Sequence, residues 1–353
     1  MKVENMKQFS LGSKQIGCNT EAFIIAEVGQ AHDGSLGAAY AYIDAIAETG
    51  ADAVKFQTHI ADAESTIDEP FRIKFSKQDR NRYEYWKRME FKPDEWRGLA
   101  NYAKQKGLVF LSSPFSIEAV ALLEGLGIEA WKVGSGEISS FDLFDAIIKT
   151  NKPVLLSTGM SNYAEIGNSL DYLRRHDTAV ALFQCTSKYP VALEEVGLNV
   201  ISELKKKFEC PVGLSDHSGT IYPSIAAMAK GAEIIEVHVV FDKRMFGPDT
   251  RASLTLDELE ILVNTSKAFH VMNTHHVDKD EQTKQLGEMR DIFKKSISIT
   301  QEYAKGTIIK REMLVFKKPG TGIPISDIDK LIGKKLLHDV SPKKLLRWED
   351  IDR

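Results

Sequence analysis

Eight short apolar runs recur along the chain, with helical patterns between them, and this alternation restricts the fold more than any other feature. The runs are AFIIAEVG from Ala22, DAVKFQT from Asp52, LVFLSSPF from Leu108, AWKVGSGE from Ala130, PVLLSTGM from Pro153, AVALFQCTS from Ala179, PVGLSDHS from Pro211 and EIIEVHVV from Glu233. Most are continuous rather than alternating, as in parallel strands buried on both faces. Between them, SLGAAYAYIDAIAETG, KPDEWRGLANYAKQKG, SIEAVALLEGLG and YPSIAAMAKG are helical in pattern, and each ends at a glycine. The series runs from residue 22 to about 270 and predicts an α/β fold, a (β/α)8 TIM barrel of the usual size of about 250 residues.

The barrel is expected over residues 1–272, a polar and charged linker over 273–291, and a small β-rich module over 292–353. Within the module, KGTIIKREML and SPKKLLRWEDI share a rhythm of turn, apolar pair and charged turn. One barrel connection, residues 58–107, is too long for a simple crossover. Its segment ADAESTIDEPFRIKFSKQDRNRYEYWKRMEF is polar, aromatic and charged. A solvated flap is one reading. A substrate lid is favoured, because loops that follow barrel strands build the active face.

Net charge is -4, so nothing suggests nucleic acid. No apolar run approaches the roughly 20 residues of a membrane span. The opening MKVENMKQFSLGSKQIG has no apolar core of a signal peptide. Three cysteines, Cys18, Cys185 and Cys210, are too few and too scattered for a disulfide framework or zinc site. A cytoplasmic protein is the simple expectation.

In such barrels chemistry gathers at the C-terminal strand ends. Read together, those ends hold Glu27, Lys55, Gln57, Lys132, Ser135, Glu137, Ser157, Tyr189, Ser215, Asp216, His217, Glu236 and His238. His217 ends the seventh strand and His238 lies in the eighth. Two imidazoles with water and substrate oxygens suit a divalent metal, although a buried histidine is often only a hydrogen-bonded core residue. Lys132 interrupts an apolar strand beside GSGE, where glycines and a following helix can cradle an anion. Ser135, Ser157 and Ser215 add hydroxyl donors. The plainer alternative is a buried Lys132–Glu137 pair with serines as helix caps. Glu27 lies at a buried position and needs a partner or a task; Lys55 is a candidate partner.

The ordered motifs IIAEVGQAHDGS, VKFQTH, SSPFS, KVGSGE, LLSTGM, CTSKYP, GLSDHSG and GPD resemble the sialic acid synthase family, the phosphoenolpyruvate-dependent nonulosonate synthases. The tail, with FKKPGTGIP, looks like that family's antifreeze-like (SAF) domain. The resemblance covers nearly the whole chain. It implies condensation of phosphoenolpyruvate with an N-acylated hexosamine-type aldose, giving a nine-carbon 2-keto acid and phosphate by C–O cleavage. It also implies a divalent metal, usually Mn2+, held by His217 and His238. Lys132, Ser135, Ser157 and Ser215 match the phosphoenolpyruvate set, and Ser187 stands in the same region. Lys55 and Glu137 lie beside that set, and Glu27 matches the carboxylate that handles a proton. Gln57, Tyr189, Glu236 and Asp249 match positions near the sugar.

Ser187 replaces a familiar asparagine, Ser113 a familiar threonine, and Lys318 the arginine that commonly precedes the Pro-Gly pair. In the family that arginine reaches the sugar's N-acyl group from a partner subunit, so a domain-swapped homodimer is implied. A lysine does not replace a planar guanidinium. These departures bear on the sugar rather than the reaction. Another metal-dependent barrel aldolase, or a non-catalytic sugar-binding relative, are the alternatives.

Overall fold

A computed structural model describes residues 8–17 and 21–352. Cys18 and the first seven residues of the opening stretch lie outside them; Cys185 and Cys210 are buried and unbridged. Eight parallel strands form a ring: β1 (Phe23–Gly29), β2 (Ala53–Thr58), β3 (Val109–Pro114), β4 (Trp131–Val133), β5 (Val154–Ser157), β6 (Val180–Cys185), β7 (Val212–Asp216) and β8 (Ile234–Val240). Hydrogen-bonded ladders run β3-β2-β1-β8-β7-β6-β5-β4, and β3 packs beside β4 to complete the circuit. The predicted barrel is therefore present. The fourth run is strand for only three residues, because Ser135–Glu137 turns into a short 3-10 helix.

The continuous apolar runs are explained by two layers of burial. Outward residues such as Ile24, Val54, Leu156 and Val237 pack under the helices. Inward residues such as Phe23, Ile25, Leu111, Leu155 and Phe183 fill the barrel. The helices begin where the sequence supplies caps. Ser35 accepts from the Ala38 N–H at 3.2 Å ahead of Leu36–Thr49, and Asn162 forms a capping box with Glu165 ahead of Tyr163–Arg175.

The sequence reading missed an N-terminal hairpin, Phe9–Leu11 with Lys14–Ile16. Its Leu11 and Ile16 join the inner apolar cluster. Lys14 pairs with Glu21 at 3.0 Å and with Asp52 at 2.9 Å. Phe9, Leu11 and Ile16 add apolar surface to the inner cluster, which water would otherwise reach.

The chain divides into units Met1–Thr274 and His275–Arg353. The second carries helices Lys279–Gln285 and Gly287–Phe293 in the segment read as a linker or linker helix. It then forms an antiparallel pair, Ser296–Ile299 with Leu314–Lys317, around Ile297, Ile299, Ile309, Leu314, Leu336, Leu346 and Ile351. The two rhythmic segments have matching structures. Buried Ile309 and Leu346 each precede a one-turn 3-10 helix, Arg311–Met313 and Trp348–Asp350.

Candidate active site

Strand register assembles the site. Glu27 of β1 stands level with Lys55 of β2 on one side and His238 of β8 on the other. Glu236 stands level with Ser215 of β7, and Ser215 with Cys185 of β6. These ends open into one cavity of about 580 Å³. Its lining includes Glu27, Lys55, Gln57, Lys132, Ser135, Glu137, Ser157, Ser187, Tyr189, Ser215, His217, Glu236, His238 and Asp249. The strand-end candidates of the barrel are therefore in one place, except Asp216, whose carboxylate accepts from Ser218 and Ser224 instead. Lys318 belongs to the second unit, where its ammonium lies 5.0 Å from the Phe293 ring.

Two buried lysines face two buried carboxylates. Lys55 Nζ lies 2.5 Å from Glu27 Oε2 and 3.9 Å from Glu236 Oε1. It also donates to Ser113 Oγ at 3.2 Å. Lys132 Nζ donates to Ser157 Oγ at 2.5 Å and lies 3.5 Å from Glu236 Oε1. Glu236 Oε1 accepts from Ser215 at 3.1 Å as well. The resemblance put Glu236 near the sugar, and the plainer alternative paired Lys132 with Glu137. Lys132 pairs with Glu236 rather than with Glu137, whose Oε2 accepts from Ser140 at 2.6 Å.

The electrostatics follow from burial. Desolvation raises Glu27 to about 7, against the pull of Lys55 and with a push from Glu236. Desolvation also acts to raise Glu236, but Lys132 and Lys55 together hold it below the usual carboxylate range. Lys132 is drawn below the usual lysine range, chiefly by burial. A lysine and a carboxyl both drawn toward neutrality lack counter-charge, and an arriving anion supplies it to the ammonium groups. Close packing at the neighbouring Gly159 excludes any side chain there. A Cβ there would lie 2.6 Å from both Cys185 Sγ and Ser187 Oγ and 2.9 Å from Ser135 Oγ. Its N–H donates to Ser135 Oγ at 3.0 Å. Side chains from the ends of β4 and β6 thus crowd around Gly159.

The histidines fit a metal. Their ring centroids are 5.4 Å apart. His217 Nδ1–H donates to the Thr186 carbonyl at 3.1 Å, which leaves the Nε2 lone pair available. Burial lowers both imidazoles to about 3, helped by His238 at His217 and by Lys55 at His238. They are neutral near pH 7, the form that coordinates. No group of three or more His, Cys, Asp or Glu able to hold a metal occurs among the described residues. Water and substrate oxygens would complete the set.

The 58–107 insertion roofs this cavity. Helix Arg82–Met89 and Phe71 and Phe75 form their own apolar cluster with Tyr85 and Trp86. Arg88 pins the roof by pairing with Asp79 and Asp33, both at 2.7 Å. Gly34 makes that approach possible, since its φ is 76° and a Cβ would meet the Arg88 carbonyl at 2.4 Å. Sequence reasoning missed Arg72. Its guanidinium donates to Asp249 Oδ1 at 2.5 Å and lies 4.1 Å from the Tyr189 ring. The only sequence signal was the charged, aromatic character of the whole insertion.

Residues 42–278 match the model of the NeuB family, and residues 294–352 match the SAF domain. The chain is 33% identical over 333 residues to the N,N'-diacetyllegionaminic acid synthase of Campylobacter jejuni, covering 93% of this chain and 99% of that one. It is 33% identical over 349 residues to the N-acetylneuraminate-9-phosphate synthase of Homo sapiens, covering 96% and 94%. Among solved structures, the N-acetylneuraminic acid synthetase of Leptospira borgpetersenii is similar with a TM-score of 0.70. It shares 30% identity, over 81% of this chain and 96% of that one.

Proposed function

The chain belongs to the NeuB family, and on that premise we propose that it is a nonulosonate synthase joining phosphoenolpyruvate to an N-acylated hexosamine-type aldose. The products are a nine-carbon 2-keto sugar acid and phosphate. The observation that carries this reading is the single cavity in which two buried lysines, a cradle of Gly134, Ser135, Gly136 and Ser157, and two neutral histidines converge.

Lys132, with Ser135, Ser157, Ser187 and Ser215, binds the phosphate and carboxylate of phosphoenolpyruvate. Charge-assisted donors in a buried site are worth most where anionic charge builds up. The Lys132–Glu236 contact holds the ammonium in place until the donor substrate arrives. The sugar lies toward Gln57, Tyr189 and Asp249, under Arg72. C3 of phosphoenolpyruvate bonds to the aldehyde carbon, water adds at C2, and the C2–O bond to phosphate breaks. Glu27, held near neutrality in its affinity for a proton, takes the proton of the attacking water, with Lys55 orienting it. Glu137 lines the same mouth. His217 and His238 would hold a divalent ion, Mn2+ in our reading, which would supply Lewis-acid polarisation of the aldehyde oxygen.

A cytoplasmic, domain-swapped homodimer is part of the proposal, with Lys318 of one copy reaching the acceptor bound by the other. No helix among the described residues is long and apolar enough to cross a membrane. Lys318→Ala is expected to raise the sugar KM several-fold while the phosphoenolpyruvate KM stays near its original value. An unchanged sugar KM removes Lys318 from the acceptor site. Arg72→Ala is expected to raise the sugar KM about tenfold, the loss of roughly 1.4 kcal/mol of ion pairing and ring contact. Steady-state kinetics with each substrate varied in turn checks both.

The central test is phosphate release by the purified protein with phosphoenolpyruvate, Mn2+ and a panel of amino sugars. The panel includes N-acetylmannosamine and 2,4-diacetamido-6-deoxy hexoses. Release with one sugar, abolished by EDTA and restored by added Mn2+, is the expected result. Absence of phosphoenolpyruvate binding in calorimetry overturns the reading.

A further inference from the structure

His59 follows β2 at the start of the insertion and is 5% exposed. Its ring is sandwiched between Trp86, 3.7 Å away at 12°, and Phe115, 4.4 Å away at 6°. Nδ1 lies 2.5 Å from Glu64 Oε1, and Nε2 lies 3.3 Å from Gln57 Oε1. Gln57 Nε2 in turn donates to Glu27 Oε1 at 2.8 Å. Four side chains therefore form one hydrogen-bonded line, from Glu64 in the roof helix Ala61–Glu64 to the carboxylate on β1.

The chemistry of the donors gives this line a direction. An ionised Glu27 oxygen only accepts, so the Gln57 amide turns its NH2 toward Glu27. Its Oε1 then faces away and needs a donor. Gln30 Nε2 supplies a weak one at 3.4 Å. His59 supplies the other, so its Nε2 carries a hydrogen. Its second nitrogen is hydrogen-bonded to Glu64. Glu64 Oε2 has no hydrogen-bond partner, so that carboxylate's buried hydrogen bonding is committed to His59. Trp86 and Phe115 leave the ring little freedom to rotate.

We infer that His59 is a positioning residue, which fixes the Gln57 amide in the orientation that serves Glu27 and thereby couples the seating of the roof to the catalytic carboxylate. Glu64 and Trp86 both belong to the insertion. When they are seated the ring is clamped, and Gln57 donates to Glu27. When they lift, the ring and the amide are both free to turn. His59 touches neither the proposed phosphate cradle nor the histidine pair, so its effect falls on the chemical step rather than on donor binding. This inference rests on the reading proposed above for what Glu27 does. The geometric relay itself can be tested without turnover.

The test uses His59→Phe, which keeps an aromatic ring in the sandwich and removes both nitrogens, and His59→Gln, whose side-chain amide can donate to Gln57. Crystal structures of the full-length wild type and both variants are compared first. The Gln57 amide is expected to leave Glu27 in His59→Phe and to keep its place in His59→Gln. With the acceptor sugar in hand, His59→Phe is expected to lower kcat about 10- to 100-fold, as for other partners that orient a reactive group, with little change in the phosphoenolpyruvate KM. His59→Gln recovers most of the loss. If His59→Phe does not fold, Glu64→Ala tests the line from its far end and is expected to displace the same amide. A Gln57 amide still bonded to Glu27 in His59→Phe, or in Glu64→Ala where that variant replaces it, overturns the relay. A wild type that releases no phosphate with any sugar counts against the proposed reaction instead, and the crystal structures still decide the relay.

Discussion

Replacing His217 or His238 with alanine is expected to lower turnover by about a thousandfold or more, the equivalent of some 4 kcal/mol of lost stabilisation of charge developing on the aldehyde oxygen. The same variants should lose metal in proportion. Both rings are buried and neutral, and His217 is oriented by the Thr186 carbonyl. With only two imidazoles in the set, neither can be spared. Metal analysis of the purified variants, beside kinetics with and without added Mn2+, checks the expectation. Alanine also opens a cavity next to Tyr189, whose ring is 4.1 Å from His217, and cavities destabilise. His217→Gln fills most of that space without the imidazole, and thermal melting separates folding from chemistry. Full metal content and ordinary rates in the alanine variants would remove the histidines from the mechanism.

Glu27→Gln is the second large effect. It is expected to lower kcat by about 10²- to 10⁴-fold, the usual worth of a positioned general base. The sign of the binding effect is the sharper part. The carboxylate lies 2.5 Å from Lys55 Nζ and competes for its charge. The amide does not compete, so an anionic donor should bind as well or better. A fall in kcat with an unchanged or lower phosphoenolpyruvate KM is therefore predicted. Calorimetric titration of phosphoenolpyruvate, run beside steady-state kinetics, reads both quantities. Loss of phosphoenolpyruvate binding together with kcat would assign Glu27 to holding Lys55 in place, and unaltered kcat would remove it from the reaction.

The site was readable in sequence to an unusual depth, for a local reason. An apolar run that ends in polar residues, such as PVGLSDHS, marks a strand end facing a mouth, and eight such ends specify one rim. Glu27, Lys132 and His238 stood out as polar groups inside buried strands. Arg72 and His59 did not stand out. Both lie in or beside a long insertion full of charged and aromatic residues, where nothing local tells an inward side chain from an outward one. Glu236 was seen, but its pairing with Lys132 was not. Its partner depends on which way a carboxylate leans between two lysines on other strands.

The sequence alone determined the alternation of strands and helices, the polar ends of the strands and the separate C-terminal module. These follow from hydrophobic period, caps and turn residues, all of them interactions over a few positions. Tertiary structure decided the pairings. Ring closure brings Glu27 level with both Lys55 and His238, which are 28 and 211 positions away in the chain. It also fills the inner core with the N-terminal hairpin and lays the insertion over the mouth. Such contacts depend on register and on the packing of distant segments, and no short window of sequence encodes either.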